Sequence, residues 1–308
     1  MDAVEATAPI PRHDPLGAVA RIAAFMAEFS IEATRPSDVD IAALTPLGPG
    51  ARVYLSAPPN RPAAESVAAA IRLRAAGFVP VPHLAVRNFN TVAAFDEVLA
   101  RLNGEAAVDG VLVVGGDRVE CGPFRSAIDA IDSGVLWRRG IRVIAVAGYP
   151  QGHARISNEE LDRALADKIA AAEAVGLAVE IVTQFCFDAQ AILDYVARLR
   201  AYGFEHRLRV GLVGPTSLAA LLRYAHRCGV RASAQALARR AGLMQQMFAL
   251  TAPDDLVSAL AIAAPAGVMP HFFSFGGVAA TSRWARAVAD GRIAPGAGGG
   301  FAVEPVRQ

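Results

Sequence analysis

Eight apolar runs, each bounded by turn-forming residues, recur along the chain and predict β-strands. They cover residues 29–33, 53–57, 78–86, 110–114, 143–147, 179–187, 210–213 and 271–275. Between successive runs, apolar residues recur at helical spacing behind helix-start signals. The clearest start is a capping box formed by Ser157 and Glu160, after which Leu161, Leu165 and Ile169 recur on one helical face.

Eight strand–helix repeats over roughly 250 residues, without a Pro/Ser-rich linker, predict a single α/β domain, a (β/α)₈ TIM-type barrel. An open doubly wound sheet is the competing architecture, but it does not need eight repeats, and no GxGxxG opens a helix after any run. Residues 233–264 hold more helix than one crossover requires, so we expect extra helices before the last strand. We place the barrel at 18–291, between a flexible N-terminal tail (1–17) and a flexible C-terminal tail (292–308).

Composition argues against several classes of protein. Of the 308 residues, 54% are hydrophobic and 19% are charged, which is typical of a globular protein rather than a disordered one. A net charge of +1 argues against nucleic acid or an anionic membrane as partner. No window reaches the roughly 18 apolar residues of a spanning helix, and no basic–apolar leader is present. Three cysteines without a CxxC predict neither disulfides nor a metal site, and we expect a reducing, cytoplasmic location.

Candidate chemistry collects where the strands end, because a barrel gathers those side chains around one mouth. Glu32 ends the first run, where burial would favour its protonated form; a salt bridge with Arg35 is the alternative. Ser56 ends the second run, either as a donor to a ligand or as the cap of a turn. His83 lies inside the apolar third run, where a hydrogen-bonded core histidine is the commoner outcome.

The following strand ends add glycine and polar residues. The glycine pair 115–116 lets the backbone approach a flat or phosphorylated ligand, and Asp117 follows it on the rim, unless it only caps a tight turn. Tyr149 and His153 form a candidate platform for stacking or hydrogen bonding after the fifth run. Gln184 lies among strand apolars and needs partners for both amide groups, which a heterocycle with adjacent donor and acceptor supplies.

The ordered set of strand-end residues resembles the methylenetetrahydrofolate reductase family. The matching positions, in family order from about residue 29 to residue 287, are Glu32, Pro82-His83-Leu84, Gly116-Asp117, Ala147 to His153, Asp162 with Lys168, Thr183 to Asp188, and His271-Phe272-Phe273. The resemblance implies a flavoprotein barrel in which NAD(P)H reduces FAD and the flavin reduces 5,10-methylenetetrahydrofolate to 5-methyltetrahydrofolate. A divergent member running this reaction oxidatively, in one-carbon catabolism, falls within the expectation.

The resemblance also implies a role for each residue. Glu32 would be the general acid that opens the folate ring, Asp117 would steady positive charge near the pterin and tune the flavin, and Gln184 would hydrogen-bond the pterin edge. The other candidate substrate contacts are Phe187, Ser274 and Arg283. The candidate FAD site comprises Ser56, His83, Gly116, Asp117, Arg118, Tyr149, His153, Asp162 and Lys168. Lys168, the only lysine in the chain, would lie near the phosphates or the ribose.

Three departures from the family pattern mark this chain. Gly115 stands where the family has an arginine, and Arg118 is the candidate replacement. The aromatic–proline run after the catalytic glutamate is replaced by residues 33–36. The last strand lacks the arginine that meets the folate tail, for which Arg283 is the candidate substitute. These departures bear on FAD more than on the pterin, so a variant in which the nicotinamide reduces the folate directly, without FAD, stays open.

Two further functions fit the same residues. A folate-binding barrel without redox chemistry, acting in methyl transfer or as a sensor, would keep Asp117 and Gln184 but would have no use for Tyr149, His153 and Lys168. A barrel lyase acting on a phosphorylated sugar or acid is the other, although the seventh and eighth strand ends offer glycines and no lysine for phosphate. The choice between NADH and NADPH stays open, and the high apolar fraction allows a homo-oligomer.

Overall fold

Eight parallel strands close into a barrel in the computed structural model, which describes residues 15–57, 61–119, 122–227, 250–296 and 300–304. Each strand pairs with the next along the chain, and the last pairs with the first. The strands are β1 (Ser30–Ala33), β2 (Arg52–Leu55), β3 (Val79–Ala85), β4 (Gly110–Val114), β5 (Val143–Gly148), β6 (Ala178–Phe185), β7 (Arg207–Val213) and β8 (Val268–Phe273). The predicted (β/α)₈ barrel is confirmed, and every predicted strand overlaps an observed one.

Helices connect the strands and cover the outside of the barrel. They are α1 (Pro15–Met26), α2 (Asp38–Ala43), α3 (Ala63–Ala75), α4 (Val92–Ala106), α5 (Ala127–Asp132), α6 (Val135–Arg138), α7 (Asn158–Ala174), α8 (Ala189–Ala201), α9 (Leu218–Arg227), α10 (Asp254–Ala263) and α11 (Val278–Ala289). Short 3₁₀ turns lie at Thr45–Leu47 and Val86–Asn88. The capping box of Ser157 and Glu160 begins α7, as predicted. Helix α10 lies within the span 233–264, where we predicted extra helices before β8. The first part of that span, 233–249, lies outside the described residues.

The interior of the barrel has an apolar side and a polar side. Strand residues point alternately towards the helices and towards the barrel axis. At mid-height the axis is filled by one apolar cluster from β2 to β6, formed by Tyr54, Val81, Leu112, Ala145 and Val182. The other three strands contribute Ser30, Arg209 and His271 to the buried interior. Because buried polar groups need partners, this side must form its own hydrogen-bond network.

The C-terminal segment differs from the tail that we expected. Ile293–Pro295 and Phe301–Val303 form an antiparallel pair of strands. Ile293 and Phe301 are buried, and the Phe301 ring stacks on Trp284 of α11 with ring centroids 6.4 Å apart. The run of glycines before Phe301 favoured the prediction of a flexible tail, so the sequence did not indicate this contact. At the other end α1 begins at Pro15, three residues before the predicted barrel boundary; residues 1–14 and 305–308 lie outside the described residues.

None of the helices in the described part of the chain is both long enough and apolar enough to cross a bilayer. In the same ranges, no three His, Cys, Asp or Glu side chains group in a way that could hold a metal ion. Cys186 is buried, which raises the pKa of its thiol to about 11. Cys121 and Cys228 fall outside the described residues.

An ion cluster closes the amino-terminal end of the barrel. Arg52 of β2 lies 2.8 Å from the Glu180 carboxylate, and Arg209 of β7 lies 3.1 Å from it. The Tyr54 hydroxyl donates to the same carboxylate at 3.1 Å. Burial alone would raise the pKa of Glu180, but the two guanidinium groups and their hydrogen bonds outweigh it and hold the pKa below its usual range. The cluster therefore stays charged, and each charge depends on the others.

We expect Glu180→Gln to lower the free energy of unfolding by about 3–5 kcal/mol at neutral pH, because Arg209 is left buried without a counter-charge. Urea denaturation measures the loss. The depressed folded-state pKa makes this stabilisation present above the unfolded carboxyl pKa, and it is lost as the pH falls through the folded pKa. The difference in the free energy of unfolding between Glu180→Gln and the wild type should therefore become smaller at acidic pH. Glu173→Gln, on an exposed carboxyl that bonds His206, is the control. An equal loss in both variants would contradict the account.

Candidate active site

Glu32 lies inside the mouth of the barrel, at the carboxyl end of β1, with its side chain 12% exposed. Its Oε2 atom is 3.5 Å from Nε2 of His271 on β8 and 3.7 Å from Nε2 of His83 on β3. Ser56, just beyond β2, hydrogen-bonds the Glu32 side chain and lies 2.5 Å from the Thr34 hydroxyl. Glu32 thus faces two imidazoles and a hydroxyl, and the alternative of a rim salt bridge with Arg35 is not what the structure shows.

Burial sets the protonation of this group of side chains. It raises the pKa of Glu32, although the nearby His83 and the hydrogen bond from Ser56 oppose the rise. It lowers the pKa of His83. Burial, together with the positive charge of Arg209, lowers the pKa of His271 to about 3. At neutral pH both imidazoles are uncharged, and Glu32 keeps a proton more readily than an ordinary carboxyl does. This is the property that a general acid needs.

Aromatic side chains line the mouth at the ends of β6 and β8. We call Phe185, Phe187, Phe273 and Phe275 the aromatic wall. Ring centroids within it are 5.1–5.7 Å apart along the contacts of Phe185. The wall touches the polar group directly, because the rings of His271 and Phe273 are 5.2 Å apart. Phe187, a predicted substrate contact, is half-buried in it. An acid beside a flat apolar surface suits a flat heterocyclic ligand.

Gln184 lies at an irregularity in β6. The pairing of β6 with β7 shifts register between Val182 and Phe185, a kind of bulge that re-aims side chains near active sites. The side-chain amide oxygen of Gln184, Oε1, accepts a hydrogen bond from the backbone N–H of Phe185 at 3.0 Å. We expected a ligand to satisfy both of its amide groups, but the chain itself satisfies one. Among the described residues the amide nitrogen has no acceptor, so it is the group left for a ligand.

Asp117 lies on the outer rim of the mouth, after β4. Its side chain is 75% exposed and 3.8 Å from Arg155, which follows β5. Gly116 before it has φ +90°, a conformation that favours glycine, and it packs closely against Ala85. Glu32, Asp117 and Gln184 thus share one rim of the barrel, but Asp117 pairs with a rim arginine. Its contact with a pterin stays a prediction.

The cation beside Gly115 is Arg87, a residue that the sequence did not single out. A Cβ placed on Gly115 would lie 3.8 Å from Nε of Arg87. Arg118, the candidate replacement, instead approaches the carbonyl of Asn88 at 3.5 Å and the side chain of Asn90. Arg87 follows β3 directly, so its strand-end position was the signal that could have identified it.

The expected FAD contacts on α7 do not form one binding group. Asp162 pairs with Arg198 of α8 at 3.5 Å. Lys168 is six residues further along, about 9 Å up the helix and about 120° around it from Asp162; it is half-buried, and burial lowers its pKa. Tyr149 and His153 do lie together, with rings 5.4 Å apart. Asp162 thus pairs with Arg198, Lys168 lies on another face of α7, and an FAD site formed by these residues stays a prediction.

Two other predicted contacts differ in their surroundings. The Ser274 hydroxyl, at the end of β8 beside the aromatic wall, is buried and has no hydrogen-bond partner among the described residues. Arg283 is exposed on α11. The Ser274 hydroxyl thus lacks a partner at the end of β8, and among the described residues Arg283 has no contact with the site; both roles stay predictions.

A cavity opens from the mouth between β2, β3 and the helices α3 and α4. Ser56 and His83 line its inner side, and Leu84, Phe89 and Leu102 line its floor. Nε2 of His83 is buried and has no hydrogen-bond partner among the described residues. The cavity thus reaches Ser56 and His83, two neighbours of Glu32.

Comparison with known proteins adds little to this geometry. No protein-family model matches the sequence. Among solved structures, dihydropteroate synthase (FolP) from Thermus thermophilus is similar with a TM-score of 0.47 and 16% identity, over 86% of this chain and 93% of that chain. A likeness this distant carries no argument about function, which therefore depends on the site itself.

We expect Glu32→Gln to raise the free energy of unfolding by about 0.5–2 kcal/mol at mildly alkaline pH, because it removes a charge from a buried site. The folded-state pKa of Glu32 is raised, so the folded state loses stability as the pH rises from the ordinary carboxyl pKa through the raised one. In mild acid the two proteins should converge. Urea denaturation at several pH values tests this, with the 78%-exposed Glu205→Gln as control. A variant that is less stable than the wild type at alkaline pH would be the contrary result.

Proposed function

We propose that this chain is a barrel enzyme that transfers a hydride directly between a nicotinamide nucleotide and a reduced folate, without FAD. The reaction interconverts 5,10-methylenetetrahydrofolate and 5-methyltetrahydrofolate. The observation that carries the proposal is the placing of Glu32, a largely buried carboxyl with a raised pKa, next to the aromatic wall at the barrel mouth. Together they supply a proton and a flat, water-poor surface.

In the reducing direction the chemistry needs one proton and one hydride. Glu32 gives its proton to the N10 nitrogen of the folate as the bond from N10 to the bridging methylene carbon breaks. This leaves an iminium at N5. The nicotinamide gives its hydride to the same carbon, which becomes the methyl group, and the nicotinamide leaves oxidised. Glu32 regains a proton from solvent, so one NAD(P)H and one proton are used for each folate reduced.

The walls of the mouth support binding of flat rings. The aromatic wall offers stacking surface to a pterin or a nicotinamide. The buried Ser274 hydroxyl and the amide nitrogen of Gln184 offer hydrogen bonds at its edge. Polar groups left unpaired inside a pocket favour ligands that satisfy them.

Charge on the rim supports an anionic substrate. The loops after β1, β3, β4 and β5 each carry an arginine, namely Arg35, Arg87, Arg118 and Arg155. Among the described residues only Arg155 has a carboxylate partner in this group, Asp117 at 3.8 Å. The diphosphate of a nicotinamide nucleotide and the glutamate tail of a folate both carry the complementary charge.

Two observations set this proposal apart from the alternatives. The pairing of Asp162 with Arg198, and the separate position of Lys168, favour a reaction without FAD. A folate carrier without redox chemistry would use the aromatic wall and Gln184 equally well, but it would have no use for a carboxyl whose burial costs stability. Perturbed carboxyl groups in a cleft are typical of catalysis.

Flavin-free protein should oxidise NADH or NADPH when 5,10-methylenetetrahydrofolate is added. Glu32→Gln should lower kcat about 10²–10⁴-fold, the usual contribution of a general acid, while the affinity for folate changes little. Absorbance of the nicotinamide measures turnover, and calorimetry measures folate binding. The control is Glu105→Gln, on an exposed carboxyl of α4 that pairs with Arg101 and does not line the cavity.

Three results would reject parts of the proposal. A strict requirement for added FAD would restore a flavin mechanism. Folate binding without turnover with either nucleotide would leave a carrier or a methyl-transfer protein. No folate binding at all would remove the substrate class.

A further inference from the structure

A continuous line of polar side chains runs inside the barrel from the ion cluster to Glu32. Arg209, which bonds Glu180, also reaches the Ser30 hydroxyl with its Nη1 group at 3.3 Å. The Ser30 hydroxyl lies 2.9 Å from Nδ1 of His271. The other ring nitrogen of His271, Nε2, lies 3.5 Å from Oε2 of Glu32. All members except Glu32 are buried, with Ser30 1%, Arg209 2% and His271 0% exposed.

The chemistry of these groups favours one direction for the hydrogen bonds along the line. A guanidinium group only donates hydrogen bonds, so the Ser30 oxygen accepts from Arg209. When Nδ1 of His271 accepts the one Ser30 hydrogen, every hydrogen is used within the line, whereas an Nδ1–H donating to the second lone pair of Ser30 would leave the Ser30 hydrogen without a partner in it. A neutral imidazole carries one hydrogen, and with Nδ1 as acceptor that hydrogen resides on Nε2. Nε2 is the nitrogen that faces Glu32.

We propose that His271 is a positioning residue, whose proton Arg209 fixes on Nε2 through Ser30 so that it donates a hydrogen bond to Glu32. A hydrogen bond to a carboxylate stabilises its charged form. This donation limits how far burial raises the pKa of Glu32, and it holds the carboxyl in one orientation towards the mouth. The inferred tautomer is independent of any substrate, whereas its importance for turnover rests on the proposed function.

Few charged, titratable or aromatic side chains face His271 and Glu32. His271 is faced by Arg209 from β7, by Glu180 from β6, and by the Tyr54 ring from β2 at 4.7 Å. Glu32 is faced by His83 from β3 and by Ser56 beyond β2. Arg209 and Glu180 are paired with each other and stay charged, and His83 is held neutral by burial. A change in the pH response of the mouth therefore reports on Glu32 itself.

The first test is made on the wild-type protein. Nitrogen-15 NMR of the His271 ring distinguishes the two neutral tautomers, with the signal assigned by comparison with His271→Gln. We expect a proton on Nε2 across the neutral range. A proton on Nδ1, or an even mixture of the two tautomers, would overturn the inference without reference to any substrate.

The second test removes the donor and then restores it. In His271→Leu, carbon-13 NMR of the Glu32 carboxyl should show its pKa raised by about one unit or more, since a hydrogen bond to a charged group is lost. His271→Gln places an amide nitrogen where Nε2 was and should return the pKa towards the wild-type value. His206→Gln, on a histidine that bonds Glu173 away from the mouth, should leave it unchanged.

The outcomes separate this inference from the proposed function. An unshifted Glu32 pKa in folded His271→Leu would reject the inference. If that variant does not fold, a His271→Gln protein with the wild-type pKa and an Nε2 proton in the wild type support it, and an Nδ1 proton still rejects it. A shifted pKa together with absent folate turnover would keep the inference and reject the proposed function. If the protein turns over folate, the alkaline limb of the pH profile of kcat should shift to higher pH in His271→Leu, together with the Glu32 pKa.

Discussion

The guanidinium group of Arg209, enclosed in the barrel, is the constraint from which the rest of the site follows. A buried arginine must have both a counter-charge and acceptors for its donors. Glu180 supplies the counter-charge, while the backbone carbonyl of Glu28 and the Ser30 hydroxyl accept further hydrogen bonds. Ser30 thereby accepts from Arg209, and in the inferred tautomer it donates its own hydrogen to Nδ1 of His271. Burial, assisted by the positive charge of Arg209, lowers the pKa of His271 and keeps it neutral, so the ion cluster contributes to the state of the imidazole next to the acid.

The division of the barrel interior explains why stability and chemistry coexist. Strands β2 to β6 each contribute one side chain to a cluster that is apolar except for the Tyr54 hydroxyl, which makes the middle of the barrel poor in water. The other strands bring polar groups into that environment, where each hydrogen bond is stronger than it would be in water. Glu32 lies at the upper limit of this region, between the polar line and the aromatic wall. Its burial is unfavourable for folding above its pKa, a cost that is common where a site is built for reaction.

The sequence was sufficient for the architecture and for part of the site. Apolar runs identified all eight strands, because parallel strands buried on both faces are nearly continuous in hydrophobic residues. Glu32 was found from its position at a strand end. The line through His271 was not, since Ser30 and His271 lie 241 positions apart and meet only when β8 closes against β1. Arg209 and Glu180, as single charges within apolar strands, gave no sign of their pairing. The rotation between Asp162 and Lys168 follows from their six-residue spacing on the predicted helix, whereas the pairing of Asp162 with Arg198 of α8 needed the structure.

A crystal structure of the flavin-free protein with bound 5-methyltetrahydrofolate tests the account most directly. We expect the pterin ring to lie against Phe187 and Phe273, with the N10 nitrogen within about 3 Å of the Glu32 carboxyl, the reach of a general acid. Folate bound away from Glu32, or a mouth in which the carboxyl and the aromatic wall face different ligands, would contradict it.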